Sequence, residues 1–165
     1  MTRTRAGLLE GAARAFAEQG LRRSTMQSVA SAAGVAKGTL YNYFRTKDDV
    51  ARALFAAELV RLTDVAADLP PDQALAALAD ELATHPVLRR LAASEPEELA
   101  ALVVLRPERW AELTGWLAGL LGVDQDAAEL AGRWLLGVVL QPGPTTARRR
   151  QAAALAAVLE VSAPR

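Results

Sequence analysis

Residues 24–49 read STMQSVASAAGVAKGTLYNYFRTKDD, which predicts two short helices joined by a tight turn, with another helix beginning behind them. Thr25 is a suitable N-cap, because its hydroxyl can accept hydrogen bonds from N–H groups that have no partner in the first turn of a helix. Apolar residues then recur at three- and four-residue steps and give the first helix an apolar face. Gly34 tolerates the positive φ with which a chain often leaves a helix. The pattern is that of a helix-turn-helix.

The second short helix, over about residues 36–44, has two different sides when its residues are spaced by about 100°. Leu40 and Phe44 fall on one side and are expected to anchor the helix, whereas Gly38 and Asn42 fall on the other. The outward side carries no carboxylate, which suits the major groove of DNA. There a glycine lets the backbone approach, an amide reads a base edge, and hydroxyl and ammonium groups reach phosphates. The residues expected to bind DNA are Thr25, Lys37, Gly38, Thr39, Tyr41, Asn42, Tyr43 and Lys47.

Two segments resemble the DNA-binding domain of TetR-type transcriptional repressors. They are LLEGAARAFAEQG at Leu8–Gly20 and STMQSVASAAGVAKGTLYNYFRTKDDV at Ser24–Val50. Glycine, lysine and aromatic residues fall at the spacing of that family. The resemblance implies an N-terminal three-helix DNA-binding domain followed by a C-terminal helical domain that binds a ligand and dimerises. Gly11 and Ala15 stand where larger residues or better helix formers are usual, so the first helix is expected to be locally weaker.

Charge divides the chain in the same way, although the net charge of all 165 residues is zero. Residues 1–47 contain eight basic and two acidic residues, a net charge of +6, whereas residues 48–165 contain 11 basic and 17 acidic residues, a net charge of −6. A basic N-terminal part is what attraction to DNA phosphates requires. We therefore predict a DNA-binding domain over residues 1–47 and an effector-binding and dimerisation domain over residues 48–165.

The rest of the chain is predicted to be helical throughout, so the fold class is all-α with about nine helices. Prolines and glycines mark most of the helix ends. The first helix is predicted over residues 3–18, and the helices after the helix-turn-helix over residues 47–68, 71–84, 87–93, 97–121 with an interruption at Pro107, 124–140 and 145–161.

Composition argues against several classes of protein. There is no cysteine and only one histidine, which excludes disulfides, thiolate metal sites and most catalytic triads. No apolar run is long enough to span a bilayer, and no phosphate-binding loop, dinucleotide fingerprint or nucleophile elbow is present. We expect a cytoplasmic protein with no cofactor, no metal site, no membrane association and no enzymatic activity.

The last two predicted helices are candidates for self-association. A twofold dimer reads a palindrome with doubled contacts, and the family resemblance implies a four-helix bundle between two subunits. The same apolar residues would equally suit packing within one chain, and their periodicity does not decide between the two. The candidate interface residues are Leu130, Trp134, Leu135, Val138, Leu155, Val158 and Leu159.

The middle of the chain is where a small apolar effector is expected to bind. Tryptophans at helical spacing more often belong to a core, and a histidine before a proline more often belongs to a loop or cap. The candidate ligand-binding residues are His85, Leu102, Val103, Arg106, Trp110, Leu113, Trp116 and Leu117.

Together these features predict a sequence-specific transcriptional regulator, a homodimeric repressor that a small-molecule effector releases from a palindromic operator in double-stranded DNA. An alternative is a DNA-bound adaptor of the same shape, controlled by a protein partner instead of a metabolite. An activator has no distinguishing sequence feature, and an enzyme would require a clustered acid–base set that the sequence does not reveal.

Overall fold

Ten α-helices and no strands make up the part of the chain that the structure describes, so the all-α prediction is confirmed. The structure is a computed structural model, and it describes the backbone of residues 3–161 and the side chains of residues 4–159. The helices are α1 (Arg3–Arg23), α2 (Met26–Ala32), α3 (Lys37–Tyr41), α4 (Lys47–Ala66), α5 (Pro71–Thr84), α6 (Pro86–Ser94), α7 (Pro96–Val103), α8 (Pro107–Leu121), α9 (Gln125–Leu140) and α10 (Thr145–Val161).

The helices form two compact units. The N-terminal unit comprises residues 3–60 and Pro86–Ala100, and the C-terminal unit comprises Arg61–His85 and residues 101–161. Helix α6 belongs to the N-terminal unit because it packs against α1, although it lies far from α1 in the sequence. Packing therefore adds residues beyond position 47 to the N-terminal unit, while the predicted functional boundary between residues 47 and 48 stays a prediction.

Helix α1 bends at Gly20 and continues further than predicted. Gly20 has φ 81° and ψ 173°, which ends the regular helix near the predicted place, yet one more helical turn carries the chain to Arg23. Gly11, one of the two residues expected to weaken this helix, lets α1 and α2 pack closely. A Cβ on Gly11 would lie 2.4 Å from the Cβ of Ala33, so a larger residue would push the two helices apart.

Other helix ends also differ from their predictions, and two of them have a clear local cause. Helices α7 and α8 are separate, because Arg106 adopts extended backbone before Pro107, which has no N–H with which to continue a helix. This separation makes ten helices where nine were expected. Helix α3 ends at Tyr41 instead of Phe44, since the chain tightens there and the Tyr43 N–H donates to the Leu40 carbonyl at 3.0 Å.

The C-terminal unit has an apolar core built from α5, α8, α9, α10 and the end of α4. Its predicted helix bounds are confirmed for α5 and α10, and the predicted cap of α9 is present, with Asp124 Oδ1 accepting from the Ala127 N–H at 2.8 Å. The buried Arg148 guanidinium donates to Asp80 Oδ1 at 2.6 Å and to the Gly143 carbonyl at 2.7 Å. In residues 3–161, none of the helices combines the length and the hydropathy that crossing a bilayer requires.

Candidate nucleic-acid interface

Local hydrogen bonds shape α2 and the turn that follows it. Thr25 Oγ1 accepts from the Ser28 N–H at 3.1 Å, and Ser28 Oγ accepts from the Thr25 N–H at 2.9 Å, so the two residues form a capping box. Gly34 leaves α2 with φ 69°, and the chain folds back as the Val35 N–H donates to the Ala30 carbonyl at 3.0 Å. The predicted cap and turn are therefore confirmed.

One apolar side holds α3 to the rest of the N-terminal unit. Leu40 is fully buried, and Phe44 is 5% exposed one turn further on, so both predicted anchors are confirmed. The guanidinium of Arg5 lies over the Phe44 ring, 5.5 Å from its centroid. The remaining side chains of this segment point away from the core. Thr39 is half-buried, and the exposed residues are Lys37, Gly38, Tyr41, Asn42 and Tyr43.

Gly38 has open space on its outward side. A Cβ built on this residue would meet no heavy atom within 4 Å from outside its own stretch of helix. Glycine inside a helix costs about 0.5–1 kcal/mol relative to alanine, and nothing in the packing around Gly38 compensates for that cost. The packing of the chain itself therefore gives no reason for a glycine at this position, and the close approach of DNA to the α3 backbone stays a prediction.

Polar groups flank this glycine along α3. Lys37 begins the helix, and its Nζ lies 5.7 Å from the centroid of the Tyr41 ring, a cation–π contact that restricts where the ammonium group can lie. Asn42 follows the last residue of the helix, and its backbone N–H donates to the Gly38 carbonyl at 3.2 Å while its side chain is exposed. The exposed side of α3 thus presents, in order along the chain, an ammonium group, a glycine with exposed backbone and an amide.

Lys47 has acceptors within the protein, which its sequence pattern does not indicate. Its Nζ donates to the Leu21 carbonyl at 2.5 Å and lies 3.5 Å from the Arg22 carbonyl oxygen. The ammonium group therefore satisfies carbonyls at the end of α1. The expected contact between Lys47 and a DNA phosphate stays a prediction, as do the contacts expected for the other seven residues of the candidate interface.

The start of α4, directly after this interface, has a second capping box. The Thr46 N–H donates to Asp49 Oδ2 at 3.0 Å, and the Asp49 N–H donates to Thr46 Oγ1 at 3.1 Å. The hydrogen bond from the Thr46 side chain, followed by the one from Arg52, lowers the pKa of Asp49 below its usual value. The Asp49 carboxylate thus makes its hydrogen bonds at the N-terminus of α4.

Two arginines hold the helix-turn-helix in ways that sequence reasoning missed. Arg14 Nη2 donates to the Ala32 carbonyl at 2.8 Å and so satisfies the last turn of α2, while Arg5 covers the Phe44 ring. In the sequence both residues count only toward the net charge. Their partners lie far away in the sequence, on α2 and in the segment just after α3, so only the folded structure reveals these contacts.

The candidate effector residues all lie in the C-terminal unit, where several of them already have packing partners. Leu117 is 1% exposed and belongs to the core, and Trp116 Nε1 donates to Thr63 Oγ1 at 2.8 Å. Trp110 packs against Gly132, since a Cβ on that glycine would lie 3.0 Å from the ring. Ligand binding by these residues stays a prediction. Of the others, His85, Leu102, Val103 and Leu113 are half-buried, and Arg106 is exposed.

The candidate dimer residues divide between the core and the surface of the single chain. Leu135, Val138 and Leu159 are buried in the core of the C-terminal unit, so their side chains are already enclosed. Leu130 is 44% exposed and Val158 is 55% exposed, while Trp134 and Leu155 are half-buried. The exposed members are the ones that can meet a second copy, and the dimer interface stays a prediction.

Several known proteins are similar to this chain in sequence or in fold. Residues 8–54 match the family model of bacterial regulatory proteins of the tetR family. The repressor KstR2 of Mycobacterium tuberculosis strain H37Rv is 46% identical over 46 residues, which are 28% of this chain and 23% of KstR2. The repressor BepR of Brucella suis is 29% identical over 147 residues, 79% of this chain and 70% of BepR. The tetR-family repressor AlkX of Dietzia has the same fold, with a TM-score of 0.69, 18% identity and coverage of 96% of this chain and 98% of AlkX.

Proposed function

This chain belongs to the tetR family of bacterial regulatory proteins, and from that premise we propose that it is a DNA-binding transcriptional repressor. In this proposal two copies of the chain bind a palindromic operator in double-stranded DNA, and a small apolar effector releases them. The alignment with KstR2 covers only 28% of this chain and 23% of that protein, so what the rest of the chain binds is inferred from its own residues.

The main support for the proposal comes from the exposed side of α3. It combines a glycine that the protein's own packing does not require with an ammonium group and an amide, and residues 19–47 contain no acidic residue. A protein surface that neutralises DNA phosphates needs basic and hydroxyl groups and no carboxylates near the duplex. A small residue on a helix in the major groove lets the backbone come closer to the base edges.

The proposed roles follow from where the side chains lie. Lys37 and Asn42 read base edges, because they stand at the two ends of the exposed side of α3. Gly38 permits the close approach. Lys47 has two acceptors among the described residues and an ammonium has three donors, so one N–H is assigned to a phosphate. The further phosphate contacts in this proposal are Thr25, Thr39, Tyr41 and Tyr43.

Selection of bound duplexes from a random pool tests DNA recognition and symmetry together. We expect the full chain to enrich one sequence whose two halves are related by a twofold axis, because a homodimer presents the same α3 to each half-site. The affinity for the enriched duplex should fall steeply as the salt concentration rises. Recovery of random sequences after repeated rounds would contradict sequence-specific binding, and an enriched sequence without symmetry would contradict only the homodimer.

Release by an effector is the second part of the proposal and is tested separately. The C-terminal unit contains three half-buried tryptophans, and two of them, Trp110 and Trp116, are candidate effector residues on α8, an environment that suits a small apolar ligand. A ligand that binds the folded protein should raise its melting temperature and lower its affinity for the operator. A set of apolar metabolites that stabilises the protein while leaving operator affinity unchanged would contradict this mode of release.

A further inference from the structure

Glu95 is a buried acidic residue that the proposed DNA contacts do not use. It lies between α6 and α7 and is 5% exposed. Its Oε2 accepts two backbone hydrogen bonds, from the Leu21 N–H at 2.9 Å and from the Arg22 N–H at 3.0 Å. A buried carboxylate is costly unless hydrogen bonds satisfy it, and two charge-assisted bonds to one oxygen do so here.

The backbone that Glu95 holds is also held from its other side. The peptide group that joins Leu21 to Arg22 donates its N–H to Glu95, and its carbonyl accepts from Lys47 Nζ at 2.5 Å. A carboxylate and an ammonium group therefore polarise the same peptide group from opposite ends, which strengthens both hydrogen bonds. Lys47 is the first residue of α4, five residues after Asn42. Through one peptide group, Glu95 is thus connected to the point where the chain leaves the candidate interface.

Gly20 makes this arrangement possible. Its φ of 81° is a conformation that residues with a side chain rarely adopt, and a Cβ there would lie 2.0 Å from Glu95 Oε1. The glycine thus allows the bend in α1 and also leaves space for the carboxylate. Two separate features of Gly20, its backbone conformation and its lack of a side chain, serve the contact with Glu95.

We propose that Glu95 is a positioning residue for DNA binding, because it holds the 21–22 peptide group and, through Lys47, fixes the start of α4 and the α3 helix that precedes it. The inference rests on the proposed function. It assigns to the α6–α7 junction a direct part in orienting the helix that reads DNA. Loss of the Glu95 carboxylate should therefore reduce sequence-specific binding more than it reduces the electrostatic attraction to any DNA.

The experiment compares Glu95→Ala, Glu95→Gln and Glu97→Ala in the full chain. Glu97 lies in the same turn but is exposed and only pairs with Arg22 at 3.6 Å, so Glu97→Ala removes the same charge without touching the 21–22 peptide group. Affinities are measured for the enriched duplex and for a scrambled one. We expect Glu95→Ala to reduce the ratio of these affinities about tenfold, a coupling of the size seen between residues in one hydrogen-bond network. Glu97→Ala should leave the ratio unchanged, and Glu95→Gln, whose amide oxygen can still accept both bonds, should restore most of it.

A double-mutant cycle separates positioning from a general loss of stability. Glu95→Ala and Lys47→Ala should each reduce specific binding, and the double variant should lose less than the product of the two factors, because both act on one peptide group. Multiplicative losses, or an unchanged affinity ratio in Glu95→Ala, would overturn the inference and leave the proposed function standing. If the wild-type chain enriches no sequence at all, the proposed function fails and this inference fails with it.

Discussion

Single glycine residues in this chain have different physical reasons for being glycine, and Gly38 is one of those that internal packing does not explain. Gly38→Ala should make the free protein more stable by about 0.5–1 kcal/mol, because alanine is the better helix former and the new Cβ meets no atom. The same methyl group should weaken operator binding about tenfold, since it stands where the DNA has to approach. Thermal unfolding and binding titrations measure the two effects.

The control for this substitution is Gly115→Ala in α8, another exposed helical glycine with no heavy atom within 4 Å of a Cβ. It should raise stability by a similar amount and leave DNA affinity as it is. Equal affinities for the wild type and the Gly38→Ala variant would mean that the α3 backbone does not approach DNA closely.

Substitution of Asn42 tests whether one side chain recognises a base. Its amide is exposed just past the end of α3, so its removal should disturb the fold little. Asn42→Ala should cost about 1–3 kcal/mol on the enriched duplex and relax the preference at one position of each half-site. Gln73→Ala, which removes an exposed amide from α5, should change neither quantity. An identical sequence profile for Asn42→Ala across a randomised library would remove Asn42 from the base-reading residues.

At the scale of the elements, α1 packs closely against α2 at Gly11. The effect of Gly11→Ala on stability should therefore be opposite to that of Gly38→Ala. Gly11→Ala should destabilise the protein by about 1–3 kcal/mol, although alanine favours helix, because its Cβ would lie 2.4 Å from that of Ala33. Gly7→Ala in the same helix meets no neighbour within 4 Å and should stabilise. Urea unfolding of both variants checks the sign, and a stabilised Gly11→Ala variant would show that α1 and α2 separate at little cost.

Those elements that are set by local chemistry could be predicted from the sequence. Thr25 and Asp124 are caps, Gly34 turns the chain and Leu40 anchors α3, since each depends on residues within a few positions. The extra turn of α1 after Gly20 could not be predicted in this way, because its N–H groups are satisfied by Glu95, which lies 73 and 74 residues away. Similarly, the acceptors of Lys47 come from another helix, so the sequence predicted only a phosphate contact for this residue.

At the scale of the whole molecule, the distribution of charge and the distribution of exposed apolar residues are separate features. The +6 net charge lies in residues 1–47, whereas Leu130 and Val158 expose apolar surface on α9 and α10. The first favours DNA, and the second favours a partner of apolar character. A second copy of the chain satisfies both features, since it supplies another basic domain for a second half-site.

Joint substitution of Leu130→Glu and Val158→Glu tests that assembly. Both side chains are about half exposed in the single chain, so the fold should tolerate the change, whereas four buried carboxylates would oppose a dimer through α9 and α10. Sedimentation equilibrium should give twice the mass of one chain for the wild type and the mass of one chain for the variant. The affinity for the palindrome should fall about 10²–10⁴-fold, because the second half-site is no longer bound by a linked domain. The control is Val104→Glu, at a position that is 77% exposed and lies outside these helices, and this variant should stay dimeric. If the Leu130→Glu/Val158→Glu variant were also dimeric, the interface would lie elsewhere.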